Sequence, residues 1–132
     1  SHAAIPHLLS AAQDSPRGVA DLINISSVAG RVARMGSGVY NLTKWGVGAF
    51  SESLRQEVTK RNVRVSLVEP GAVATELTDH LRPEIRTQTK ERFEGIERLH
   101  AEDIAATIEF IVTQPRRVAI NEVLIRPTDQ EF

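Results

Sequence analysis

The stretch "VRVSLVEPG", Val63–Gly71, decides how this chain is read. Its valines are stiff β-branched residues that fit a pleated sheet better than a helix, and the Pro70-Gly71 pair that follows ends a strand. Upstream, "VADLINIS" from Val19 is a second β-branched run. Neither run alternates strictly between apolar and polar, as expected of parallel strands buried on both faces. Between them a helix is predicted from an N-cap at Ser37 to about Lys60, with Val39, Leu42, Val47, Phe50, Leu54 and Val58 spaced along one side. Beyond Gly71, "AVATELTDHLRPEIRTQTKERFEGIERLH" is charged, weakly periodic and interrupted by Pro83, which predicts a mobile excursion with one or two short helices. A helix then opens at Ala101-Glu102-Asp103, with acidic residues at its positive end, and Pro115 stops it. "NEVLIRP" supplies a third strand. Ahead of everything, "SHAAIPHLLSAA" is helix-like, with Pro6 tolerated only in a first turn or at a kink.

The order strand, helix, strand, helix, strand predicts an α/β fold, with parallel strands joined by right-handed crossovers. Ligands of such sheets gather beyond the carboxyl ends of the strands. The first two strands end in "NISS" and "EPGAVAT", polar and glycine-bearing; the third ends in "RPTDQ", which carries no comparable signal.

At 132 residues the chain is one domain's worth. Sixteen basic residues against seventeen acidic ones leave a net charge of -1, and no basic block is long enough to follow a phosphate backbone, so nucleic acid is not an expected partner. With no cysteine there is no disulfide framework, thiolate metal site or thiol nucleophile, which is compatible with a reducing cytosol. The longest apolar runs, "AAIPHLL" and "IEFIV", fall far short of the ~20 residues that span a bilayer. No basic-then-apolar leader opens the chain, so a soluble, untargeted, cytoplasmic protein without a membrane partner is expected. His2, His7, His80 and His100 lack ligand spacing; solvated or capping roles are expected of them, and no metal.

Chemistry is concentrated in "SGVYNLTKWG", Ser37–Gly46. Tyr40 and Lys44 share a helix face, so the ammonium can approach the phenol and favour the phenolate, drawing the tyrosine from its free pKa of about 10 toward neutrality. Ser27 lies at a strand end thirteen residues earlier, able to donate to or accept from a substrate oxygen. Ser26 beside it suits a structural role as well as a site role. Pro70, Gly71, Ala72, Val73, Ala74 and Thr75 present backbone amides and a hydroxyl at the neighbouring strand end.

In "NISS", then Tyr-x-x-x-Lys, then Pro-Gly-x-x-x-Thr, the chain resembles the carboxy-terminal half of a classical short-chain dehydrogenase/reductase over essentially its whole length. The resemblance implies a partial Rossmann-like parallel sheet. Residues 1–132 would be the carboxy-terminal half of one NAD(P)-binding oxidoreductase domain. It implies an NAD(P)-dependent carbonyl reductase or alcohol dehydrogenase acting on a small-molecule carbonyl or alcohol, with NADP slightly favoured as cofactor. Tyr40 would be the general acid/base and Ser27 would orient the substrate oxygen. Lys44 would lower the tyrosine pKa and hold the nicotinamide ribose. Pro70, Gly71, Val73 and Thr75 would meet the cofactor, the Val73 backbone at the carboxamide.

A homo-oligomer is also implied, with Gly46, Gly48 and Trp45 at a helix-helix contact, and the run from Glu84 to Arg98 is read as either a wet surface or a substrate lid. The family's glycine-rich turn, cofactor selector and "NNAG" stretch would all lie ahead of Ser1, and its helix asparagine is absent too. On its own the chain is therefore expected to be inactive, and either to bury its first strand's edge by self-association or not to fold stably. The alternative is a non-catalytic dimerising or interaction fragment of the same descent. A serine hydrolase is disfavoured, because "ISSVAG" lacks the Gly-x-Ser-x-Gly elbow.

Overall fold

The computed structural model describes residues 1–77 and 81–131; His80 and the rest of 78–80 lie outside them. A short turn of 3-10 helix leads into α1 (Ile5–Asp14), where Pro6 sits in the first turn and disrupts nothing. Then come β1 (Ala20–Ile25), α2 (Gly38–Val58), β2 (Val63–Pro70), α3 (Pro83–Arg92), α4 (Ala101–Thr113) and β3 (Glu122–Ile125). The three strands form one parallel sheet in the order β1-β2-β3, with Ile25 opposite Val68 and Pro70 opposite Ile125. The fold is α/β, a partial Rossmann-like parallel sheet, as expected. No helix among the described residues is long and apolar enough to cross a membrane.

Every residue of the central strand β2 is buried, and its two faces hold different chemistry. On one face Val63 and Val65 pack with Ala12 of α1, Ala20 of β1, and Leu54 and Val58 of α2. Each of the valines and Leu54 contributes about 1.5–3 kcal/mol by leaving water. On the other face the buried Arg64 guanidinium makes a two-pronged pair with Asp21, at 2.6 and 2.9 Å. It also donates to the carbonyls of Val112, Gln114, Pro115 and Val118, closing the carboxyl end of α4, where a cation meets the helix dipole favourably.

Two expectations about the helices change. The α2 residues Val39, Leu42 and Phe50 are exposed, and the inward side is instead Asn41, Gly48, Ser51, Leu54 and Val58. Ser51 faces in because its hydroxyl accepts from the Asn24 amide at 2.9 Å. A Cβ on Gly48 would meet Leu67 of β2, whereas one on Gly46 would meet nothing, so of the two only Gly48 marks a close approach, and to the sheet. In the charged stretch Pro83 opens α3, a short helix as expected there, whose described side chains are exposed or half-buried. His100 precedes α4, and its N–H donates to the Asp103 carboxylate at 2.7 Å, the capping arrangement expected there.

Candidate functional site

Past Ile25 the chain stays on the sheet for one more residue, as the Ser26 N–H donates to the Val68 carbonyl at 2.8 Å. Ser26 then points inward, 4 % exposed, and its hydroxyl donates to the Lys44 carbonyl at 3.0 Å. Of the two roles open to Ser26, this is the structural one. Gly30 is needed here, since a Cβ would lie 2.9 Å from the Ser26 Oγ and 3.1 Å from the Lys44 carbonyl oxygen. Ser27 caps the turn Val28–Gly30, its Oγ accepting from the Ala29 N–H at 3.1 Å. That bond leaves the hydroxyl proton and a second lone pair for another partner.

Packed against this turn is the start of α2, where Tyr40 is half-exposed and Lys44 lies one turn further on. The Lys44 Nζ is 5.8 Å from the centre of the Tyr40 ring and 3.4 Å from the Ile25 carbonyl. The lysine thus spans the end of β1 and the tyrosine. Between them in sequence, Asn41 is buried, and its amide donates to the carbonyls of Ala29 at 2.7 Å and Val32 at 2.9 Å while accepting from the Arg34 N–H. Asn41 therefore fixes the 29–34 loop to the helix beside Tyr40, a role the sequence reading did not assign. The available signal was an asparagine, a poor helix former, kept inside the first turns of a helix.

At the neighbouring strand end, Glu69 is 1 % exposed, and burial raises its carboxyl above the usual range while the Arg31 partner opposes the rise. The Arg31 Nε donates to it at 2.7 Å, and the same guanidinium pairs with Glu122. The Ser27 turn and the Pro-Gly loop are thus tied by a charged bridge. The Gly71 N–H donates to the Ile125 carbonyl at 2.7 Å, and the Gln130 Oε1 accepts from the Ala72 N–H at 2.8 Å. A Cβ on Gly71 would run into that side chain, so any other residue here would displace Gln130 from the loop. The reading that "RPTDQ" carries nothing relevant to the site is corrected: Gln130 holds the loop. Val73 bridges Leu99 in parallel, with Ala74 N–H donating to Leu99 and Leu99 N–H donating to Ala72, so the peptide groups of Val73 itself turn the other way. Thr75 is exposed, and its hydroxyl accepts from the Leu77 N–H at 3.4 Å.

The structure therefore brings Ser27, Tyr40, Lys44 and the Pro70–Gly71 loop to the carboxyl ends of adjacent strands. A family model described as short chain dehydrogenase matches residues 1–86. The chain belongs to the short chain dehydrogenase family. An uncharacterized oxidoreductase of Staphylococcus saprophyticus is 39% identical over 114 residues, covering 84% of this chain and 46% of the relative. A serine 3-dehydrogenase of Rhizobium radiobacter is 34% identical over 111 residues, covering 84% of this chain and 45% of the relative. Among solved structures, the closed form of a serine dehydrogenase complexed with NADP+ superposes with a TM-score of 0.85 at 28% identity, covering 99% of this chain and 51% of that one. Serine dehydrogenase from Escherichia coli superposes with a TM-score of 0.73 at 27% identity, over 99% of this chain and 48% of that one. This short chain dehydrogenase sequence thus spans about half the length of the curated relatives it matches.

Proposed function

We propose that residues 1–132 are the carboxy-terminal half of a single NAD(P)-binding domain. In the whole domain, Tyr40, Lys44 and Ser27 serve an oxidoreductase that interconverts a small-molecule alcohol and its carbonyl. The observation that carries this reading is Lys44, anchored on the Ile25 carbonyl with its ammonium over Tyr40, beside a Ser27 hydroxyl with bonding capacity to spare. A bound nicotinamide would supply or accept the hydride. Tyr40 gives its Oη proton to the substrate oxygen in reduction and takes it back in oxidation. The Lys44 charge stabilises the negative oxygen that develops on the tyrosine, and its Nζ also suits the ribose hydroxyls. Ser27 holds the substrate oxygen by its free hydroxyl proton.

The residues assigned to the cofactor fit one: the peptide groups of Val73 turn away from Leu99 and suit a carboxamide, beside the rigid Pro70–Gly71 turn, and the Thr75 hydroxyl is exposed. NADP is favoured by its presence in the similar serine dehydrogenase, and the serine dehydrogenase names make hydroxy amino acids the first substrates to assay. A homo-oligomer is also proposed, because α2 leaves Leu42, Trp45 and Phe50 at least half exposed. The test uses a polypeptide that carries the whole domain, incubated with NADPH deuterated at the transferring carbon and a carbonyl acceptor. Deuterium at the product carbinol carbon is the expected outcome; its absence across a panel of small aldehydes, ketones and keto acids contradicts the reading.

A further inference from the structure

A cavity of about 660 Å³, with none of Ser27, Tyr40 and Lys44 in its lining, opens between the Val32–Met35 loop, the end of α3 with Phe93 and Ile96, and the carboxy-terminal Asp129, Gln130 and Glu131. Arg34 and Arg92 line it, and Arg126 lies close to Arg34. The Arg34 Nη2 and the Arg126 Nε are buried and have no hydrogen-bond partner, although each is a donor in a guanidinium that stays charged. Among the described residues none of the three arginines is in an ion pair, and neither Asp129 nor Glu131 reaches them. Burial, with Arg92 and Arg126 nearby, makes the proton on Arg34 less tightly held than usual. Like charges and unmet donors are thus gathered around one cavity at a cost to the fold, an arrangement that an anion would relieve.

The remaining lining narrows the ligand. Phe93, Ile96 and Met35 offer an apolar wall, which a bare inorganic ion does not use. Arg34 and Arg92 line the cavity together with Asp129 and Glu131, and among the described residues Arg126 beside Arg34 adds the only positive excess, which suits a monoanion better than a dianion. A planar carboxylate also matches the fork of a guanidinium. We propose that this cavity binds a small organic monocarboxylate, its carboxylate on Arg34 and Arg92 and its apolar body against Phe93 and Ile96.

The test titrates the full chain with butyrate, its uncharged isostere butyramide and inorganic phosphate, each followed by calorimetry and the two organic probes also by saturation-transfer NMR. Butyrate should bind in preference to both. Arg34→Gln should weaken butyrate binding by about tenfold or more, the loss of one charge-assisted hydrogen bond to the carboxylate. Arg92 is exposed, so Arg92→Gln should leave the circular dichroism spectrum unchanged and still weaken butyrate binding. No butyrate binding up to ~100 mM, below any useful affinity, would overturn the proposal. Equal binding of butyramide, tighter binding of phosphate, or butyrate binding untouched in a folded Arg92→Gln variant would each do the same. None of these readings needs turnover, so they stand or fall separately from the chemistry at Tyr40.

Discussion

Glu69 is the residue whose environment has the plainest consequence. It is a nearly inaccessible carboxylate with one strong partner, Arg31, whose side chain is 42% exposed. Burial raises the Glu69 pKa in the folded chain, so between the ordinary carboxylate value and that raised value the folded state holds a proton that the unfolded state has released. Stability contributed by this group is therefore present at low pH and falls as pH rises through that window. Arg31→Gln removes the opposing charge and extends the window upward. Urea unfolding should find the variant about 1–3 kcal/mol less stable than the parent at pH 7, with the gap narrowing toward pH 5. A gap of constant size across that range would contradict the assignment. The contrast with Tyr40, Lys44 and Ser27 is instructive. As candidates those three could be read from sequence alone, Tyr40 and Lys44 from their four-residue helical spacing and Ser27 from its place at a strand end. The partners Arg31 and Glu69 are 38 residues apart and Gln130 and Ala72 are 58 apart, and only folding reveals that they meet.

At the scale of elements, α2 separates pattern from packing. Its length and boundaries followed from periodicity, and its end at Val58 with a further turn to Arg61 lies close to the expected limit at Lys60. Its inward face did not follow, because a helix lying on a parallel sheet beside a polar turn buries Asn41 and Ser51 and takes Gly48 against Leu67, none of which an apolar stripe reports. The difference is measurable. Leu54, 7% exposed and within the main core, should cost about 2–4 kcal/mol as Leu54→Ala. Leu42, 73% exposed, should cost less than about 0.5 kcal/mol as Leu42→Ala when the sample is dilute enough to be monomeric. Thermal unfolding of the two variants side by side checks this; equal losses would mean that the face of α2 has been assigned wrongly. The strands were easier to read, because β2 is buried along its whole length and its valines carry that fact in the sequence.

At the scale of the whole molecule, parallel topology places two strand ends side by side, and the order β1-β2-β3 leaves β1 on an edge of the sheet among the described residues. The fold class was legible because only a crossover connection can follow a strand with a long helix and return a parallel neighbour. The linkages that hold the site were not, since Asn41, Arg31 and Gln130 act by closing loops onto each other in three dimensions. What the site is for rests on Tyr40 and on the neighbours that orient it. The most direct measurement is single-turnover hydride transfer in a polypeptide carrying the whole domain, with and without Tyr40→Phe, alongside the cofactor dissociation constant. The account predicts a loss of about hundredfold or more in the transfer rate, with cofactor affinity changed by less than about threefold. A transfer rate unchanged in Tyr40→Phe would contradict it.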